Sequence, residues 1–264
     1  MYCRVFLILE SKIWHIDIFF SLFLLDIILS LYAEEEKMVT FNTIKQAIYA
    51  LYLTNRFGFK LLKIDNPMEK KRLRLAYSVA QLKTLNITIN IENKEKLPKE
   101  GQYLILSNHR SIIDPPIIEV AFKDTHIFGP WISKKELYNS FFFGLFVRHA
   151  GSILLDRDKS QMSGFFLEIK EAVKRGESIF IFPEGTRNKT NESLSTFKEG
   201  SRIIALKNRL PILPLYIKTH ANKTLENALK DKNLRQEVTI VIGDIIDYKD
   251  KTSLEESYKR AFFL

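Results

Sequence analysis

At 264 residues, 46% of them hydrophobic and 27% charged, the chain is long enough for one large globular domain with an appendage. A single cysteine, Cys3, excludes an internal disulfide framework and suits a reducing compartment. Forty basic against 31 acidic residues give a formal charge of +9, which directs the search for partners toward anions: nucleic acid, phosphate metabolites or acidic lipid headgroups.

The charge is unevenly placed. Residues 1–37 carry three basic groups (Arg4, Lys12, Lys37) and six acidic ones (Glu10, Asp17, Asp26, Glu34, Glu35, Glu36), so the remainder stands at +12. Within this apolar leader, "IDIFFSLFLLDIILSLY" (16–32) has about the length of a membrane span. Asp17 and Asp26 argue against one, since each costs roughly 2.5–3.5 kcal/mol near a bilayer centre. It also lacks the small-residue cleavage site of a signal peptide. An interfacial or weakly ordered segment is expected, or a leader that translation from Met38 would omit.

From Thr43 to Ile64 the pattern predicts a helix, broken or bent near Gly58, with apolar residues nearly all round it and cations at Lys45, Arg56, Lys60 and Lys63. A core helix would show a cleaner polar face, so this one, with the basic helix expected over 68–85, reads as membrane-interfacial (38–86). The period then changes. Strands are predicted over 87–93, 102–107, 126–133, 152–156, 178–183, 211–218 and 237–246, and helices over 115–122, 160–175, 198–208 and the C-terminus, with an aromatic stretch at 138–147. Such alternation implies an α/β fold with a mostly parallel central sheet flanked by helices.

Ligands of such sheets sit beyond the carboxyl ends of strands, where three polar stretches fall. In "SNHRSIIDPP" (107–116), His109 offers a base of near-neutral pKa and Asp114 a carboxylate to orient it. Five positions apart on a helix they would point about 140° apart, so a turn at 110–113 must bring them together. The plainer reading makes Asp114 an N-cap before Pro115. "GSILLDR" ends in Asp156-Arg157, and "FPEGTRN" (182–188) supplies Glu184, Gly185, Thr186 and Arg187, with an arginine fork suited to phosphate. The five His residues (15, 109, 126, 149, 220) are scattered without metal-ligand spacing, and no nucleic-acid-binding motif is present.

Together these stretches resemble the glycerolipid acyltransferases of the 1-acylglycerol-3-phosphate (lysophosphatidic acid) acyltransferase type. An N-H-x4-D block matches Asn108, His109 and Asp114. Gly151, Ile153 and Arg157 match a second block, with Leu154 where an aromatic is common. F-P-E-G-T-R matches Phe182 to Arg187, and a P-x-x-P strand matches Pro211 and Pro214. The likeness makes 87–264 the acyltransferase domain and leaves 1–37 without a counterpart.

The resemblance implies transfer of a fatty acyl group from acyl-CoA or acyl carrier protein to lysophosphatidic acid, giving phosphatidic acid. His109 would act as general base and Asp114 would orient it. Arg157, Glu184, Gly185, Thr186 and Arg187 would bind the acceptor, with Lys134 a further phosphate or donor contact. No cofactor, metal or nucleic acid enters, and the expected location is an anionic membrane surface on the cytoplasmic face of the inner membrane. Phe141–Phe143 and Phe146 are candidates for an acyl-chain channel or for plain core. The competing functions are acylation of glycerol 3-phosphate or a lyso-aminolipid, and lipid binding without catalysis.

Overall fold

Short apolar runs separated by amphipathic helices give the chain a layered sheet, visible in a computed structural model that describes residues 41–156 and 162–264. The leader run 16–32, Met38 and Arg157 lie outside the described residues. Two helices come first, α1 (Phe41–Leu61) and α2 (Pro67–Thr84). Then follow β1 (Ile87–Glu92), β2 (Leu104–Ser107), α3 (Asp114–Ala121), β3 (Ile132–Lys134), α4 (Gly144–His149) and β4 (Ile153–Leu155). The chain ends with α5 (Met162–Lys174), β5 (Ile179–Ile181), α6 (Gly200–Asn208), β6 (Ile212–Ile217), α7 (Ala221–Lys230), β7 (Gln236–Ile242) and α8 (Leu254–Phe262). Residues Ile48–Leu264 form one compact unit, and the unit ending at Ala47 is described only where α1 begins.

The five-stranded sheet has the order β1-β7-β6-β2-β5, and only β6–β7 is antiparallel. The parallel pair β3–β4 is joined to its β5 edge through the bridge Trp131–Phe180. Thus β6, β2, β5, β3 and β4 all run the same way. Strand β2 sits centrally, covered on both faces, so all four of its residues are buried and its sequence is an unbroken apolar run ending in Ser107. Ile105 turns to one core layer with Ile117 and Phe122 of the α3 side, and Leu104 and Leu106 turn to the other with Phe165, Ile169 and Ile204.

Several expectations are revised. Helix α1 runs unbroken through Gly58, where a Cβ would stand 2.9 Å from Leu145 Cγ: the glycine serves close approach to α4 and does not break the helix. The run 126–133 is strand only from Ile132. Before it, Gly129 presses against the chain so closely that a Cβ would fall 1.7 Å from the Ser178 carbonyl oxygen. Helix α7 was not anticipated, although Ala221, Leu225, Ala228 and Leu229 follow the helical period.

A buried ion pair fastens α2 to the sheet. Arg74 (5% exposed) donates from Nε to Glu119 Oε1 of α3 at 2.6 Å, from Nη1 to the Ala150 carbonyl at 2.8 Å and from Nη2 to the Gly129 carbonyl at 2.9 Å. Trp131 Nε1 donates to the same Glu119 oxygen at 2.8 Å. Beside it, burial pushes the Lys71 ammonium pKa down, and its Nζ donates to the Thr125 carbonyl. Removing one member leaves an uncompensated buried charge. Arg74→Leu is therefore expected to cost about 3–5 kcal/mol in chemical denaturation, with much of the loss recovered in an Arg74→Leu/Glu119→Leu double variant. An unchanged midpoint in the single variant would refute the pair's role.

Candidate active site

Three neighbouring parallel strands end side by side: β2 and β5 carry two of the polar stretches, and β3 carries Lys134. The last β2–β5 pair is Leu106–Ile181, so His109 and Glu184 each lie three residues beyond it, level with one another. Lys134 likewise lies three residues past the Trp131–Phe180 bridge, two strand spacings or about 10 Å along the same edge.

His109 is fixed through its backbone, and one face of its ring is covered. Its N–H donates to Glu184 Oε1 at 2.6 Å, and its carbonyl accepts from the Asn188 N–H at 2.6 Å. The imidazole stacks on Phe182, with ring centroids 4.0 Å apart and planes at 11°. Phe182 in turn packs on Trp131 at 5.2 Å. The turn 182–188 therefore leaves the sheet beneath the imidazole and returns to the same residue's backbone.

Asp114 is fully buried, and one oxygen does all its bonding. Oδ2 contacts His109 Nδ1 at 2.8 Å and accepts the N–H groups of Arg110 at 2.6 Å and Ser111 at 2.7 Å, while Oδ1 is buried without a partner. The carboxylate thus closes the turn before α3 and does not cap its own helix. Pro115 and Pro116 have no N–H to offer, and the Ile117 N–H already goes to the Ile113 carbonyl. The contact holds the imidazole with Nδ1–H toward the acid, and Nε2 has no partner among the described residues. Such a dyad can take up a proton at Nε2 and stabilise the resulting imidazolium.

Glu184 faces inward. At 1% exposure, it accepts the His109 N–H through Oε1 and the Ser195 N–H at 2.7 Å through Oε2. Burial pushes its pKa up, opposed by these two hydrogen bonds. Gly185 takes φ +69°, which suits glycine, and its N–H donates to the Phe182 carbonyl at 3.0 Å. Thr186 and Arg187 are exposed, and Arg187 pairs with no carboxylate among the described residues. It directly precedes Asn188, whose N–H holds His109. Lys134 is half-buried at the sheet edge. Phe146 packs on Tyr77 at 4.5 Å within the α1–α2 core, which answers the channel question for that ring. Among the described residues no three His, Cys, Asp or Glu side chains converge as a metal site would require.

Sequence reading missed how Asn108 works. Its amide donates to the Ile217 carbonyl at 3.1 Å and accepts the Ile217 N–H at 2.8 Å, continuing the β2–β6 ladder with a side chain. An asparagine at the end of an apolar strand was the available signal. Asn188 gave none.

The acyltransferase family profile matches residues 88–218, a span that includes His109, Asp114, Lys134 and the turn 182–188. The 1-acyl-sn-glycerol-3-phosphate acyltransferase of Helicobacter pylori is 33% identical over 161 residues, covering 61% of this chain and 67% of that protein. The enzyme of the same name from Borreliella burgdorferi is 31% identical over 163 residues, 61% of this chain and 62% of that protein. The fold resembles the crystal structure of the 1-acyl-sn-glycerophosphate acyltransferase from Thermotoga maritima, with TM-score 0.61 and 21% identity over 86% of this chain and 94% of that one.

Replacing Glu184 by Gln would turn an amide NH2 toward either the His109 or the Ser195 N–H. One buried donor then goes unpaired, a loss of about 1–3 kcal/mol. Glu184→Gln should lower both the melting temperature and turnover, and full turnover in a stable variant would show that the inward carboxylate does not hold His109.

Proposed function

This chain belongs to the 1-acyl-sn-glycerol-3-phosphate acyltransferase family, and from that premise we infer that it acylates the free hydroxyl of 1-acylglycerol 3-phosphate to give phosphatidic acid. The observation that carries the residue-level reading is the His109–Asp114 contact of 2.8 Å with Nε2 left open at the sheet edge. The acceptor hydroxyl oxygen attacks the thioester carbonyl carbon as its proton passes to His109 Nε2. Asp114 stabilises the imidazolium through Nδ1. Collapse of the tetrahedral intermediate breaks the carbon–sulfur bond, and the leaving thiolate takes the proton back. No side chain need carry the acyl group, so both substrates occupy the site together.

Arg187 is the described cation best placed for the acceptor phosphate, being exposed and one residue from the Asn188–His109 bond. Arg157 joins it in this reading through the sequence resemblance. Lys134 stands along the same edge, where it would meet phosphate or donor. Thr186 and Gly185 shape the turn that presents Arg187. Acyl-CoA and acyl carrier protein are both admitted as donors, and their relative rates decide between them.

The decisive assay sets the purified protein against 1-acylglycerol 3-phosphate, its dephosphorylated counterpart, glycerol 3-phosphate and a lyso-aminolipid, with each donor. His109→Ala should cut transfer by about 10²–10⁴-fold with the fold intact. Arg187→Ala should lower kcat/KM for the phosphorylated acceptor by roughly 10–100-fold, the scale of lost charged hydrogen bonds. Equal wild-type rates on the dephosphorylated acceptor would exclude phosphate reading, and lipid binding without turnover would select the non-catalytic alternative.

We also infer that α1 seats the domain on an anionic bilayer, on the cytoplasmic face where acyl donors are made. Leu53, Phe57 and Leu61 face inward, while Ile48, Tyr52, Phe59 and Leu62 are exposed among Arg56, Lys60 and Lys63. No described helix is long and apolar enough to cross a membrane. A protein begun at Met38 should bind anionic vesicles, and Tyr52→Ser/Phe59→Ser/Leu62→Ser should release it while keeping the inward residues. Added salt should weaken binding only in part, because the apolar contribution is not screened. Undiminished binding by the triple variant would assign the anchor elsewhere.

A further inference from the structure

The C-terminal helix reaches the strand end that carries His109. Tyr258 of α8 is fully buried, and its hydroxyl stands between two backbone groups of adjacent strands. Oη accepts the Asn108 N–H at 3.2 Å and donates to the Leu215 carbonyl of β6 at 2.5 Å. The backbone pairing of β2 with β6 stops at Ser107–Leu215, one residue earlier. At Asn108 the direct ladder is thus replaced by side-chain groups: the tyrosine hydroxyl on the backbone N–H, and the Asn108 amide on Ile217.

A hydroxyl inserted into a ladder holds two strands apart by more than a direct N–H···O bond would. Here it does so at the residue before His109, where β2 must leave the sheet for its ring to reach both Phe182 and Asp114. The same helix holds the opposite side of the site. Glu255 Oε2 accepts the Phe197 N–H at 2.9 Å, the Phe197 ring packs edge-on against Tyr258 at 5.1 Å, and the Lys198 N–H donates to the Pro183 carbonyl at 2.8 Å. One helix therefore fixes both the turn bearing His109 and the segment behind Glu184.

We propose that the Tyr258 hydroxyl is a positioning group for the acyl transfer, setting through Asn108 the point at which the His109 turn departs from the sheet. It touches no reacting atom and acts through the angle at which the imidazole meets the acceptor hydroxyl. The proposal rests on the assignment of His109 as the base.

Tyr258→Phe keeps the ring contacts with Phe197 and Phe262 and removes only the relay. The expected result, on whichever acceptor the wild-type enzyme uses, is a kcat lower by about tenfold. KM for both substrates should stay within about twofold, because the groups assigned to the acceptor phosphate are untouched. Phe262→Leu, a packing change on the same helix, should lower the melting temperature and leave kcat per folded molecule unchanged. A folded Tyr258→Phe enzyme with kcat within twofold of wild type would overturn the proposal. So would an equal kcat loss in Phe262→Leu, or failure of Tyr258→Phe to fold, since either would make the residue a packing element. If the wild-type protein transfers no acyl group to any acceptor, the functional reading fails. The relay is then judged by carbethoxylation of His109, which Tyr258→Phe should slow several-fold and Phe262→Leu should not; equal rates in all three would overturn it.

Discussion

A single guanidinium organises the approach to this site. Arg74 is buried on α2, and its donors are spent on Glu119 and on two carbonyls from separate loops. Desolvating such a charge is favourable only if every donor finds a partner, so the loops at Gly129 and Ala150 are held as firmly as the ion pair. Glu119 passes the constraint to the Trp131 indole, Trp131 packs on Phe182, and Phe182 lies flat beneath the His109 ring. The position of the imidazole is thus linked by contiguous contacts to a helix that precedes the sheet in sequence.

The site divides its charged groups into two kinds. Asp114 and Glu184 are buried and bonded to backbone N–H groups or to the imidazole, so they shape the turns and hold His109. Arg187 is exposed and pairs with no carboxylate among the described residues. Acids organise the protein here, and the arginine is turned to solvent.

The strands and their ends were legible because β2, β5 and β6 lie within the sheet and leave apolar runs. The pairing of His109 with Asp114 was legible as a possibility, since only a turn could unite them. The inward direction of Glu184 was not, because a carboxylate beside Gly and Arg looks the same whether it faces a ligand or two backbone N–H groups. Gly58 looked like a helix breaker because its reason is Leu145 of another helix. The run 126–133 looked extended because local propensity does not record how closely Gly129 meets Ser178. Tyr258 carried no signal at all: it meets Asn108 across a separation of 150 residues.

That separation has a consequence for how the protein comes into being. Strand β1 pairs with β7, and the His109 turn meets α8, so one edge of the sheet and the end of its central strand both depend on segments made much later in synthesis. At synthesis rates of about 5–20 residues per second, the 150 residues between Asn108 and Tyr258 take on the order of 10–30 s to make. Over that interval the segment 48–107 can pack locally, as α1 does on α2, while β1 keeps an open edge and the Asn108 N–H lacks its tyrosine partner. The hydroxyl that meets Asn108 is therefore supplied only long after α1 has been made.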